Sequence, residues 1–131
     1  MSPKMKSIVG WILSGCVGIV FAGSAMGKLF GDPSALEMAA SFGLNPEVYM
    51  LLGVVELVSL VLFVVPRTGV LGTLLLTAYL GGAIATHLEH EQSVLAPCLI
   101  QAFLWCVAVF RFPELRSRLF QTGSEHAQTA R

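Results

Sequence analysis

Apolar residues in this chain come in long unbroken blocks rather than in the alternating or stripe patterns of water-soluble strands and helices. Residues 7–27 make a block of 21 without a charge, and 69–88 a block of 20 that ends close to His87. Residues 48–65, 18 in all, hold one charge, Glu56, and 94–110 are 17 charge-free residues. A helix rises ~1.5 Å per residue, so crossing the hydrocarbon of a bilayer takes about 20 apolar residues. Lipid also obliges the backbone to satisfy its own hydrogen bonds, which a helix does within one segment. The blocks therefore predict four membrane-spanning helices, at about 7–29, 47–65, 68–88 and 94–111.

The intervening pieces carry start and stop signals. In GDPSALEMAASFGLN (31–45), Asp32 is an N-cap, Pro33 takes the first helical position and Gly43 terminates, so a short helix is expected there. Asn45 and Pro46 then open the second span, and PRTG (66–69) is a tight turn that makes spans two and three an antiparallel hairpin. RFPELRSRLFQ reads as an interfacial amphipathic segment. The expected organisation is one membrane domain over residues 1–120, followed by a flexible tail over 121–131.

Composition agrees with lipid as the solvent. Of 131 residues 55% are hydrophobic and 12% charged, against about a quarter charged in soluble domains. The formal net charge is zero and no basic patch stands out, which gives no reason to expect nucleic acid as a partner. Cys16, Cys98 and Cys106 all fall inside predicted spans without a CxxC pair or metal-ligand spacing, and no metal site is expected. LSGC (13–16) looks like a lipobox, but eleven further uncharged residues follow Cys16, so the segment is read as a retained span.

Charge also sets an orientation. With four spans, Lys4, Lys6, Arg67, Arg111, Arg116, Arg118 and Arg131 fall on one side and Lys28 alone on the other. Positive charge favours the cytoplasmic side, so both termini are expected inside, in a bacterial inner membrane. The fold class is then an all-α integral membrane four-helix bundle, with the short helix of residues 31–45 lying outside between spans one and two.

Within this frame the polar residues gather at one level. Glu56 lies about eight residues below the outer boundary, roughly 12 Å deep. Ionisable groups at such depth are costly and face the bundle interior or a wet cavity. Gly53 and Ser59 flank it at helical spacing, and Ser24 lies one turn below Lys28. Tyr79, Thr86 and His87 occupy the outer half of span three, and Gln101 that of span four, while the inner half is expected to be free of charge. Helical Cα–Cβ bonds tilt toward the helix N-terminus. Lys28 and His87 therefore lean down, Glu56 and Gln101 lean up, and all four aim at one layer. Glycines and alanines at 15, 18, 23, 27, 81, 82 and 85 are expected to let the helices approach closely. Trp11, Trp105, Phe110 and Phe112 are expected to form an interfacial belt.

GSAMGKLF in span one, GVVELVSLVLFVVPRTGVLG across spans two and three, YLGGAIATHLEHE and the closing RFPEL together resemble the DoxX-like family of small bacterial four-helix membrane proteins. The resemblance runs over about residues 20–115, and Lys28, Glu56, Pro66, Gly82, Ala83, Thr86 and His87 stand where the family's pattern leads one to expect them. It implies a link to membrane redox complexes, since the family name comes from a subunit associated with archaeal thiosulfate:quinone oxidoreductase. It does not imply an enzyme: the chain has no haem-ligand pair, flavin motif or complete catalytic motif. It also lacks the CxxC of the four-helix vitamin K epoxide reductases.

Three readings stay open at this level. In the first, a lipophilic ligand such as a quinone binds in an outer-leaflet pocket lined by Lys28, Glu56, Tyr79, Thr86, His87 and Gln101, and the chain serves as a redox-associated or accessory subunit. In the second, the polar layer around Glu56 is a structural clasp, with a neutral Glu56 bonded to Gln101 or a hydroxyl, in an assembly subunit. In the third, Glu56 or His87 supplies acid–base chemistry to a membrane-soluble substrate. The expected partners are the lipid bilayer and either further copies of the chain or a membrane redox complex.

Overall fold

The structure is a computed structural model that describes residues 1–120; the tail expected over 121–131 lies outside the described residues. The described residues form six α-helices and no strand. They are α1 (Pro3–Phe30), α2 (Pro33–Ser41), α3 (Pro46–Val64), α4 (Gly69–Glu89), α5 (Leu95–Arg111) and α6 (Pro113–Phe120).

Local chemistry explains the boundaries. Three helices begin with a side-chain cap followed by proline in the first turn: Ser2 accepts from the Met5 amide, Asp32 from Ser34 and Asn45 from Val48. Such caps satisfy amides that have no partner inside the helix. Gly31 (φ 66°) closes α1 and Gly43 (φ 67°) follows α2, both in the left-handed region that suits glycine. α1 starts nearer the N-terminus than its apolar block because the Ser2 cap and Pro3 nucleate it there. Phe112 is extended, as a residue before proline prefers, and α6 leaves α5 at 104°.

Helices α1, α3 and α4 are long and apolar enough to cross a membrane; α5, at 17 residues, forms a bent pair with α6. α1 packs against α3 and α5, and α4 against the same two, so the long helices follow the cyclic order α1, α3, α4, α5. Phe21, Phe63, Leu76, Leu104 and Val107 fill the interior. Ile12, Ile19, Leu51, Val61, Leu74 and Leu99 point outward and are exposed. An apolar coat of this extent is a surface made for lipid.

Two packing expectations are corrected. Gly15, Gly18, Gly23, Gly81 and Gly82 have open space where a Cβ would stand, and Gly27 only ordinary contacts. The close approaches occur instead at Gly53, Gly69 and Gly72, the one at Gly69 against the Phe112 ring. A Cβ on Gly53 would lie 2.8 Å from the Lys28 Cβ, and one on Gly72 2.1 Å from the Phe63 backbone nitrogen. A small residue permits contact only where its face meets a neighbour, and the sequence pattern does not state which face that is. Phe112 likewise leaves the expected belt: the α5–α6 bend turns it inward, where it is 4% exposed and meets Phe63 edge-on.

Candidate functional site: a buried ion pair beside a cavity

On α3, Tyr49, Gly53 and Glu56 follow one another at spacings of four and three, which places them on one face. On α1, Ser24 and Lys28 are one turn apart. The missing side chain at Gly53 lets the two faces meet. Lys28 Nζ donates to Glu56 Oε2 at 2.9 Å, with the two side chains 7% and 1% exposed. Lys28 therefore does not reach for the surface; it closes an ion pair inside the protein.

The pair is well supplied with partners. Ser24 Oγ accepts from the Lys28 ammonium and donates to Glu56 Oε2 at 3.2 Å, and Tyr79 Oη of α4 donates to the same oxygen at 3.1 Å. The ammonium also lies 5.3 Å from the ring centre of Tyr49 and 5.7 Å from that of Tyr79. Aromatic faces attract cations, and more so where water is excluded. Burying two charges is tolerable only when they are paired and further hydrogen-bonded, and here side chains from α1, α3 and α4 meet that condition.

One side of this cage faces a cavity of about 540 Å³ between α1 and α2. Ser24, Lys28 and Tyr49 form its polar wall, Met26, Phe30 and Met38 its apolar walls, and Asp32 and Ser34 also line it.

The other expected site residues lie apart from this network. Thr86 Oγ1 donates to the Gly82 carbonyl, and His87 Nδ1 donates to the Ala83 carbonyl at 2.7 Å, so both turn back on their own helix. The His87 ring stacks obliquely on Phe42, 4.9 Å between centres, and His90 meets the same phenylalanine edge-on. Gln101 stands on α5, which packs on α1 and α4; its Oε1 is buried and has no hydrogen-bond partner among the described residues. Of the two partners expected in the clasp reading, Gln101 or a hydroxyl, it is hydroxyls that bond Glu56, from Ser24 and Tyr79, and Lys28 joins them. Depth along a helix aligned all these residues, but rotation about the axis separates them. Tyr49 was missed as a site residue, although its spacing from Gly53 and Glu56 was the signal for it.

A second cation is half-buried at the opposite end. Arg111 donates to Ser14 Oγ (3.2 Å) and to the carbonyls of Phe63 (3.1 Å) and Val64, and its guanidinium lies against Trp11, 4.4 Å from the ring centre. The half expected to be free of charge therefore contains one. Arg111 ends α5, and its side chain, leaning toward the helix N-terminus, re-enters the body of the protein. Among the described residues no three His, Cys, Asp or Glu side chains gather as a metal site.

Helices long and apolar enough to cross a bilayer, with an apolar outer coat over the described residues, make this a membrane protein. The sequence model of the DoxX-like family matches residues 12–110, and the chain belongs to that family. Comparisons with curated proteins and with solved structures gave no match.

Proposed function

We propose that the chain crosses the membrane four times as a helix bundle and binds a lipophilic ligand of the quinone type at the Lys28–Glu56 end. The positive charges at the α6 end, Lys4, Lys6, Arg67, Arg111, Arg116 and Arg118, support an inner-membrane orientation with both termini on the cytoplasmic side. The ligand cavity then opens in the outer leaflet. The observation that carries this reading is the ion pair beside the α1–α2 cavity, whose polar wall and apolar sides suit a molecule with a polar head and an apolar body. Lys28 and Tyr49 face the ligand, Glu56 and Tyr79 hold Lys28 in place from behind, and membership of the family supports a redox-associated or accessory role.

Mass spectrometry of lipids retained by the purified protein tests this. A co-purifying quinone-type lipophile that is lost in Glu56→Gln but kept in Ser59→Ala is expected, since Ser59 bonds only the Val55 carbonyl of its own helix. A wild-type protein that neither retains nor takes up such a molecule overturns it. The clasp reading has an observation of its own: three helices are tied at Glu56 Oε2. Under that reading, replacing Lys28 and Glu56 together by apolar residues leaves any associated activity intact.

A further inference from the structure

We propose that the α1–α2 cavity selects a neutral lipophile with a hydrogen-bond-accepting carbonyl head, and that the Tyr49 hydroxyl is the donor that holds it. This rests on the reading of the cavity as a ligand site and narrows its occupant. Three observations support it.

The first is charge. Among the described residues Lys28 is the only cation on the cavity wall, and it is neutralised by Glu56 at 2.9 Å. Asp32 adds negative charge to the same lining. An anionic head would have to separate a buried ion pair or sit against a carboxylate, and both are unfavourable in a medium of low polarity.

The second is the state of the donors. The ammonium of Lys28 is already directed at Glu56 Oε2, Ser24 Oγ and, at 3.5 Å, the Ser24 carbonyl. The Ser24 hydroxyl already donates its hydrogen bond to Glu56, and so does that of Tyr79. Tyr49 differs. The residue is 6% exposed and lines the cavity, and its hydroxyl, which makes no hydrogen bond to the described residues, stays accessible, unlike the buried Gln101 Oε1. A phenol in such a place normally finds a partner. A hydroxyl can donate to a carbonyl oxygen, whereas a hydrocarbon offers it nothing.

The third is shape and lining. Met26, Phe30 and Met38 flank the polar wall and can take a ring or a chain. Methionine suits an occupant of variable outline because its side chain is flexible and polarisable.

The experiment uses the detergent-solubilised full chain with three ten-carbon probes: decylubiquinone, decylbenzene and decanoate. Binding of decylubiquinone is measured directly, and the other two by competition against it. Tyr49→Phe removes one oxygen and keeps the ring beside Lys28, and an unchanged thermal unfolding midpoint verifies the fold. The expected result is saturable decylubiquinone binding that weakens roughly tenfold in Tyr49→Phe. Decylbenzene should compete weakly and equally in both proteins, and decanoate less well than decylubiquinone. Equal decylubiquinone affinity in wild type and Tyr49→Phe overturns the role of Tyr49 while leaving a lipophile site standing. Preferential binding of decanoate overturns the neutral-head class. Failure of all three probes to bind overturns the ligand reading itself.

Discussion

Lys28 and Arg111 are both cations held among aromatic rings inside an apolar protein, yet they are satisfied in different ways. Lys28 meets a full negative charge on another helix, plus the Ser24 hydroxyl of its own. Among the described residues Arg111 meets no carboxylate. It donates to the carbonyls of Phe63 and Val64, in the last turn of α3, where the helix leaves acceptors unpaired and its dipole is negative. A planar guanidinium can serve two carbonyls and a hydroxyl at once, which a lysine could not do with the same geometry. The Arg111 cluster thus closes a helix end, its three hydrogen bonds directed at that end and at Ser14. The Lys28 cluster has a cavity on one side and a free phenol beside it. Burial of charge alone does not distinguish a brace from a binding site; what is left unsatisfied beside the charge does.

The largest effect should come from unpairing the Lys28 cluster. Glu56→Leu leaves an uncompensated ammonium in the interior and should cost about 3–5 kcal/mol in detergent unfolding. Adding Lys28→Met to that variant should recover most of the loss, because an apolar pair of similar volume replaces a buried ion pair with little penalty. If the double variant is no more stable than the single one, the ion pair is not the source of the loss. Arg111→Met should cost less, about 1–3 kcal/mol, since the carbonyls it frees lie at a helix end. A drop as large as that of Glu56→Leu would erase the distinction between the two clusters.

Gly53→Ala should destabilise by about 1–2 kcal/mol. Its Cβ would press on Lys28 and on the Ala25 carbonyl, so decylubiquinone binding should fall with it. Smallest of all, Tyr79→Phe removes one interhelical hydrogen bond and should shift stability by about 0.6 kcal/mol. A larger change would mean that the third helix does more to hold Glu56 than a single donor can.

Much of the helix layout was legible because the blocks needed no tertiary information. Long charge-free runs bounded by Asp32–Pro33 and Asn45–Pro46 mark where helices start, and α2, α3 and α4 follow those marks closely. The meeting of Lys28 with Glu56 was also legible, since depth and the tilt of Cα–Cβ bonds both pointed to it. Gln101 and His87 shared the depth but not the partner, for two reasons. α5 lies beside α1 and α4, so Gln101 starts from a different wall than Glu56. His87 is eight residues beyond Tyr79, about 80° further round α4 at ~100° per residue. Arg111 was read as an end charge because its inward path depends on α3 finishing beside α5's last turn, which no single block reveals.

The contact at Gly72 bears on how anything enters or leaves. With the Phe63 backbone seated where a side chain would be, α3 and α4 are locked in register; sliding or rolling one past the other would drive atoms into each other. That pair is a fixed post. The space beside Lys28 is lined instead by α1, α2 and Tyr49, and it opens to the outside past the exposed Phe30 and Met38, away from that fixed pair.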